Sequence, residues 1–211
     1  MSQGGVKILG HRGATGLSCP ENSAQAITQA AQWGFDGVEI DVGLTKDNQI
    51  LCWHDATING IAIHELSWQQ AQSMLSYPAL SLEEALRLTK RLNLFLMCEI
   101  KVYHEPGYRQ LLDRVKLEFA SRRVPTDRFL ISSFHQQTIQ DLLVEWPQVT
   151  CAFASEEGII PEGLGVDLLV HPASVTNTLP GVSSIIYDIK APNDYVQATE
   201  GHIYALVVDQ A

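Results

Sequence analysis

Short apolar runs alternating with amphipathic segments constrain this chain more than any other feature. The runs lie at Val6–Leu9, Gly37–Val42, Gln49–Trp53, Leu94–Ile100, Arg128–Ser132, Val149–Ala154, Asp167–Val170, Ile185–Ile189 and Tyr204–Val208. Helical patterns fill most of the gaps, over Ser23–Trp33, Ser81–Arg91, Gly107–Ser121 and Gln136–Glu145, with Gly34 and Pro147 as stop signals. Alternating strand and helix predicts a parallel sheet with helical crossovers. Nine runs are one more than a closed (β/α)8 barrel needs. Thr45-Lys46-Asp47-Asn48 explains the surplus, because it has turn chemistry and is too short for a parallel crossover. Gln49–Trp53 is then the return arm of a hairpin, and eight parallel strands remain. The expected fold is α/β, a TIM barrel.

Residues 56–80 should form a small insertion after that hairpin, with one helix near Ser67–Leu75. The sequence stops at Ala211, just after the last run, so the last barrel helix is expected to be missing or truncated. Residues 1–211 read as a single domain. An apolar wall left bare beside the first and seventh helices would be covered by a second copy, which predicts a homodimer.

Charge narrows the partners. With 24 acidic and 14 basic residues the net charge is −10, which repels nucleic acid and anionic membranes. Any phosphate-bearing substrate must therefore be drawn in by local cations. The four cysteines are far apart and lack metal-site or disulfide spacing, and no run reaches the length of a membrane span. The N-terminus carries no secretory pattern, so a reduced, cytoplasmic protein is expected.

The chemistry collects at the ends of the strands. Alternate residues of a strand share a face, so Glu39 and Asp41 point the same way, as do Glu99 and Lys101. Val38, Ile40 and Val42 make the opposite face apolar, which sends the acids into the barrel mouth. Three carboxylates without cysteine favour one hard divalent cation, Mg2+ or Ca2+. Together with that cation, Arg12, Lys101 and one phosphodiester, the charges balance to zero. Arg12 would grip phosphate oxygens in a fork and Lys101 would act as a point charge. His11 and His54 end different strands and suit an acid/base pair on opposite sides of a phosphorus. His64, His104, His135 and His202 read as structural or exposed, and His171 as a possible mouth residue. The glycines form neither a dinucleotide fingerprint nor a P-loop, and no serine-hydrolase elbow is present.

These motifs resemble the glycerophosphodiester phosphodiesterase family, which is related to the phosphatidylinositol-specific phospholipases C. The residues that carry the resemblance are His11-Arg12-Gly13, Pro20-Glu21-Asn22-Ser23, Val38–Val42, Thr45-Lys46-Asp47, His54-Asp55, Leu80–Leu86, Glu99-Ile100-Lys101 and Ser132-Ser133-Phe134. The resemblance implies a TIM barrel that hydrolyses glycerophosphodiesters to sn-glycerol 3-phosphate and an alcohol. It implies metal ligands at Glu39, Asp41 and Glu99, acid/base roles for His11 and His54, and phosphate contacts from Arg12 and Lys101. After Pro147 it thins. Tyr187 lies on the strand where the family carries a tryptophan, Ala56–Gly60 is shorter than the family's segment, and Val208–Ala211 resembles the family's last motif. The short insertion leaves little protein to enclose the alcohol. A non-catalytic phosphodiester-binding module and a lysophospholipase D-like enzyme are the competing readings.

Overall fold

The structure, a computed structural model, describes residues 6–15, 19–175, 179–189 and 203–209. Its strands are β1 (Lys7–Gly10), β2 (Gly37–Leu44), β3 (Ile50–Cys52), β4 (Thr57–Ile58), β5 (Ile61–Ala62), β6 (Phe95–Ile100), β7 (Phe129–Ser133), β8 (Cys151–Ala154), β9 (Leu168–Pro172), β10 (Ser183–Ile189) and β11 (Ile203–Val208). The helices are α1 (Ala24–Gln32), α2 (Trp68–Met74), α3 (Leu82–Leu92), α4 (Tyr108–Ser121) and α5 (Gln136–Glu145). Strands β1, β2 and β6 to β11 form a parallel barrel, closed where β1 pairs with both β2 and β11. Leu9 lies opposite Gly37 on one side, and Gly10 lies opposite Val208 on the other. The expected TIM barrel is therefore the observed fold. Strand β3 runs antiparallel to β2, with Val42 opposite Cys52, as the hairpin reading requires. Asn48 adopts φ 61° in that turn, a conformation asparagine tolerates.

Local chemistry sets the helix ends. Ser23 caps α1 by accepting from the Ala26 amide at 3.1 Å, and Ser81 caps α3 through the Glu84 amide at 3.2 Å. Helix α3 stops at Asn93, which turns left-handed at φ 57°. Its buried face, Leu82, Ala85, Leu86 and Thr89, recurs at helical spacing and packs onto the barrel.

Two apolar layers hold the barrel. Leu9, Met97, Leu130, Ile185 and Val207 fill its interior. Ile27, Ile40, Leu82, Leu112 and Ile131 fill the space between barrel and helices. Each fully buried leucine or isoleucine contributes about 1.5–3 kcal/mol relative to exposure. The interior layer is apolar below and polar at the top, so the charged residues gather at the C-terminal mouth.

The insertion is richer than one helix. Strands β4 and β5 form a hairpin around Asn59 and Gly60, at φ 51° and 82°, which a two-residue mirror-image turn demands. Its residues Ile58, Ile63, Leu66 and Ala71 share a small core with Leu51. Among the described residues no helix follows β8 or β9. The loop after β8 lays Leu164 and Val166 over the outer layer instead.

Ile186, Leu206 and Val208, on the outer face of β10 and β11, are buried within the single chain. The expected loss of the last helix concerns the chain beyond Asp209 and lies outside the described residues, as does His202. None of the described helices is long and apolar enough to cross a membrane.

His171 is corrected by the structure. It sits one residue out of phase with the interior residue Val170, on the outer face of β9. Its Nδ1–H donates to the Pro172 carbonyl at 3.0 Å, and its Nε2 accepts from the Ser184 hydroxyl at 3.1 Å. Both ring nitrogens are satisfied in a buried structural position, away from the mouth.

Candidate active site

Glu39 and Asp41 leave β2 on the interior side, and Glu99 stands beside Asp41 on neighbouring β6. Carboxylate oxygens of all three lie within 4.8 Å of one another, and all three residues are buried. Burial first, and then the nearby Asp41, push Glu39 up to about 8. Burial likewise raises Glu99. One oxygen of Glu39, Oε1, is buried without any hydrogen-bond partner. Three acids this close, one with an unsatisfied buried oxygen, are a donor set that fits a divalent cation.

Lys101 closes the cluster from the side. Its Nζ stands 3.2 Å from Asp41 and contacts Glu99. Burial opposes its charge, but Glu99 and Asp41 outweigh that and raise its pKa. Arg12 spans the other side, with Nη1 donating to Glu21 at 2.8 Å and Nε 3.5 Å from Asp41. Each cation keeps N–H donors that these pairs do not use.

The first turn of the chain is built around these contacts. Arg12 adopts φ 52°, which lets its backbone N–H donate to Glu39 Oε2 at 2.9 Å. Gly13 follows at φ 90°, and a Cβ there would lie 2.5 Å from the Ala26 Cβ. Only glycine fits. Asn22 is buried and grips Asp41 twice, donating from Nδ2 at 2.9 Å and accepting from the Asp41 amide at 3.0 Å. Glu21 and Asn22 lie inside the matched motif, but their roles as partners of Arg12 and Asp41 emerge only from the fold.

Both candidate histidines are held by an aspartate. His11 Nδ1–H donates to Asp209 at 2.7 Å, and His54 Nδ1–H donates to Asp55 at 2.8 Å. In each neutral ring Nε2 is then the free acceptor. Burial would lower the His11 pKa, but the Asp209 bond and the charge of Glu39 raise it overall. The Tyr103 hydroxyl donates to the His54 carbonyl, which ties the loop after β3 to the loop after β6.

His11, Arg12, Glu39, Asp41, His54, Glu99 and Lys101 all line one cavity of about 170 Å³ at the barrel mouth. All seven residues singled out in the sequence are thus brought together. Residues the sequence reading did not assign join them. Phe134 lies at the rim, with Lys101 Nζ 5.5 Å from its ring centre. Glu156, Tyr187 and Asp188 come from the segment after Pro147.

Fold and site define the class: a barrel hydrolase that acts on phosphodiesters. The model of the glycerophosphoryl diester phosphodiesterase family matches residues 11–159, and the chain belongs to that family. It is 29% identical over 197 residues to a glycerophosphodiester phosphodiesterase from Bacillus altitudinis, covering 83% of this chain and 73% of that protein. A second relative of the same name, from Caldanaerobacter subterraneus, is 25% identical over 170 residues, covering 72% and 68%. Among solved structures, a glycerophosphodiester phosphodiesterase from Parabacteroides distasonis superposes with a TM-score of 0.83 at 23% identity, covering 97% of this chain and 92% of the other. A phosphodiesterase from Oleispira antarctica, in complex with the product sn-glycerol-3-phosphate, also gives 0.83, at 19% identity and with coverage of 96% and 92%. At these identities the superpositions speak for the barrel alone.

Proposed function

We propose that this chain hydrolyses glycerophosphodiesters to sn-glycerol 3-phosphate and an alcohol, with one Mg2+ or Ca2+ held by Glu39, Asp41 and Glu99. The convergence of three buried carboxylates and two aspartate-held imidazoles in one cavity carries the reading. When bound, the cation neutralises the carboxylates and polarises a phosphoryl oxygen. Arg12 and Lys101 use their remaining donors on the other phosphate oxygens and hold the phosphorus between the imidazoles.

His11 is the general acid in this scheme. Its raised pKa keeps a proton available for the departing alcohol oxygen. His54, opposite in role, takes the proton of the attacking water at Nε2, and the water oxygen bonds to phosphorus as the alcohol oxygen leaves with the proton from His11. Asp209 and Asp55 fix both rings in the tautomer this requires. A passive binding module has no need of two imidazoles each oriented by a carboxylate. All four cysteines are free, and three of them are buried, which favours a reducing compartment such as the cytoplasm.

The test is product analysis. Glycerophosphocholine and lysophosphatidylcholine are incubated with the protein and divalent metal, and products are resolved by phosphorus NMR. Release of glycerol 3-phosphate from the first supports the proposal. Cleavage of the lysolipid alone would favour the lysophospholipase D-like reading, and binding without cleavage would favour the module.

A further inference from the structure

A second cavity, about 230 Å³ in volume, opens beside the metal site. One wall comes from the hairpin and the insertion, with Lys46, Asn48 and His64; the other comes from the segment after β6, with Tyr103 and His104, and the first turn of α4, with Gln110. Gln110 Nε2 donates to Asn48 Oδ1 at 2.7 Å across the gap. The rings of His64 and His104 stack with centres 4.2 Å apart and planes 14° apart. These contacts tie the two walls together and give the cavity a set shape. Lys101 lines both this cavity and the catalytic one, so the two adjoin.

Its charge runs against the rest of the molecule. Among the described residues no carboxylate lines it, although the protein carries a net charge of −10. Two acids beside it in sequence turn elsewhere. Asp47 accepts from the Thr45 hydroxyl and the Trp68 amide, and Glu105 pairs with His135. Helix α4 adds the positive end of its dipole: Gly107 caps it without a side-chain acceptor, and its first turn holds no acid. A cationic headgroup placed here would meet Lys46, whose charge no lining carboxylate offsets, whereas Lys101 is already shared with Asp41 and Glu99.

We infer that this cavity is a subsite for the alcohol half of the substrate, and that it selects alcohols bearing a second phosphate or phosphodiester. The inference rests on the proposed phosphodiesterase reading and names the substrate class of that site. With the first phosphate at the metal, the alcohol runs past Tyr103 and its anion meets Lys46 and the two imidazoles.

Two measurements test it. In the first, inorganic phosphate is titrated calorimetrically into chelated protein, in which Asp41 and Glu99 engage Lys101 and compete with anions for it. Binding should weaken about tenfold in Lys46→Gln, the worth of one charged hydrogen bond, and further in Lys46→Glu. In the second, with metal present, kcat/KM for bis(glycerophospho)glycerol should exceed that for glycerophosphocholine. Lys46→Gln should lower the first about tenfold and should not lower the second, whose cationic headgroup gains nothing from Lys46. Phosphate binding indifferent to both substitutions would overturn the anion site. A ratio of the two diesters unmoved by Lys46→Gln would overturn its role as a subsite. Lys46-dependent phosphate binding without hydrolysis of either diester would overturn the proposed reaction and leave the anion site standing.

Discussion

Asp209, just past the last barrel strand, holds His11, just past the first. The two lie 198 positions apart in the chain, and their side chains meet at 2.7 Å. The contact couples barrel closure to the orientation of a candidate catalytic ring. Asp209→Asn should lower kcat by about ten- to a hundredfold, as is usual when a group that orients a reactive histidine is altered. Without the aspartate, burial is left to lower the His11 pKa, so the high-pH limb of the rate profile should move to lower pH. An unchanged limb would remove His11 from the role of acid.

The same pair sets a stability window. A histidine with a raised folded pKa stabilises fully below its ordinary value, and that contribution is lost as pH rises through the folded value. Wild type should therefore lose its Tm advantage over Asp209→Asn as pH is raised from 6 through the His11 transition. A constant difference in Tm would contradict the raised pKa.

Removing the rings themselves separates catalysis from metal binding. His11→Ala and His54→Ala should each lower kcat by about 10²–10⁴-fold, the usual worth of general acid–base catalysis. Calorimetric metal affinity should change little. Variants that lose metal and regain turnover when it is resupplied would make the histidines ligands.

Asn22 should matter as much as a ligand does. Its two hydrogen bonds fix Asp41, and Asn22→Ala takes one partner from the buried Asp41 carboxylate and one from its backbone amide. Stability should fall by about 1–3 kcal/mol in denaturant titration, and metal affinity by about ten- to a hundredfold. Unchanged metal affinity would mean that Asp41 is held without Asn22.

The strands and the seven candidate residues were legible because each lies in a short window of apolar alternation ending in charge. Glu39, Ile40 and Asp41 carry strand, face and chemistry in three residues. The roles of Asp209 and Asn22 were not legible, since each depends on a partner that only closure or turning of the chain brings near. The insertion hairpin had its signal in Asn59-Gly60, but the two-residue strands around it are too short for periodicity to register. His171 misled because a one-residue change of phase separates the barrel interior from its outer face.

The chemistry proposed for this cavity depends on its metal. In metal-free protein Glu39 keeps a proton up to about pH 8, whereas an unfolded glutamate releases it near pH ~4.3. The folded state then holds more protons across that window, so stability should fall as pH rises through it, by up to about 1.4 kcal/mol per pH unit. The decisive measurement is Tm from pH 5 to 8 in chelator and in Mg2+ or Ca2+, with glycerol 3-phosphate release from glycerophosphocholine followed in the same samples. In chelator, Tm should fall with pH and release should stop. Divalent metal should remove the slope, raise Tm and restore release, and Glu39→Gln should abolish all three responses. Full release in chelator, with a Tm indifferent to metal, would contradict the three-carboxylate metal centre.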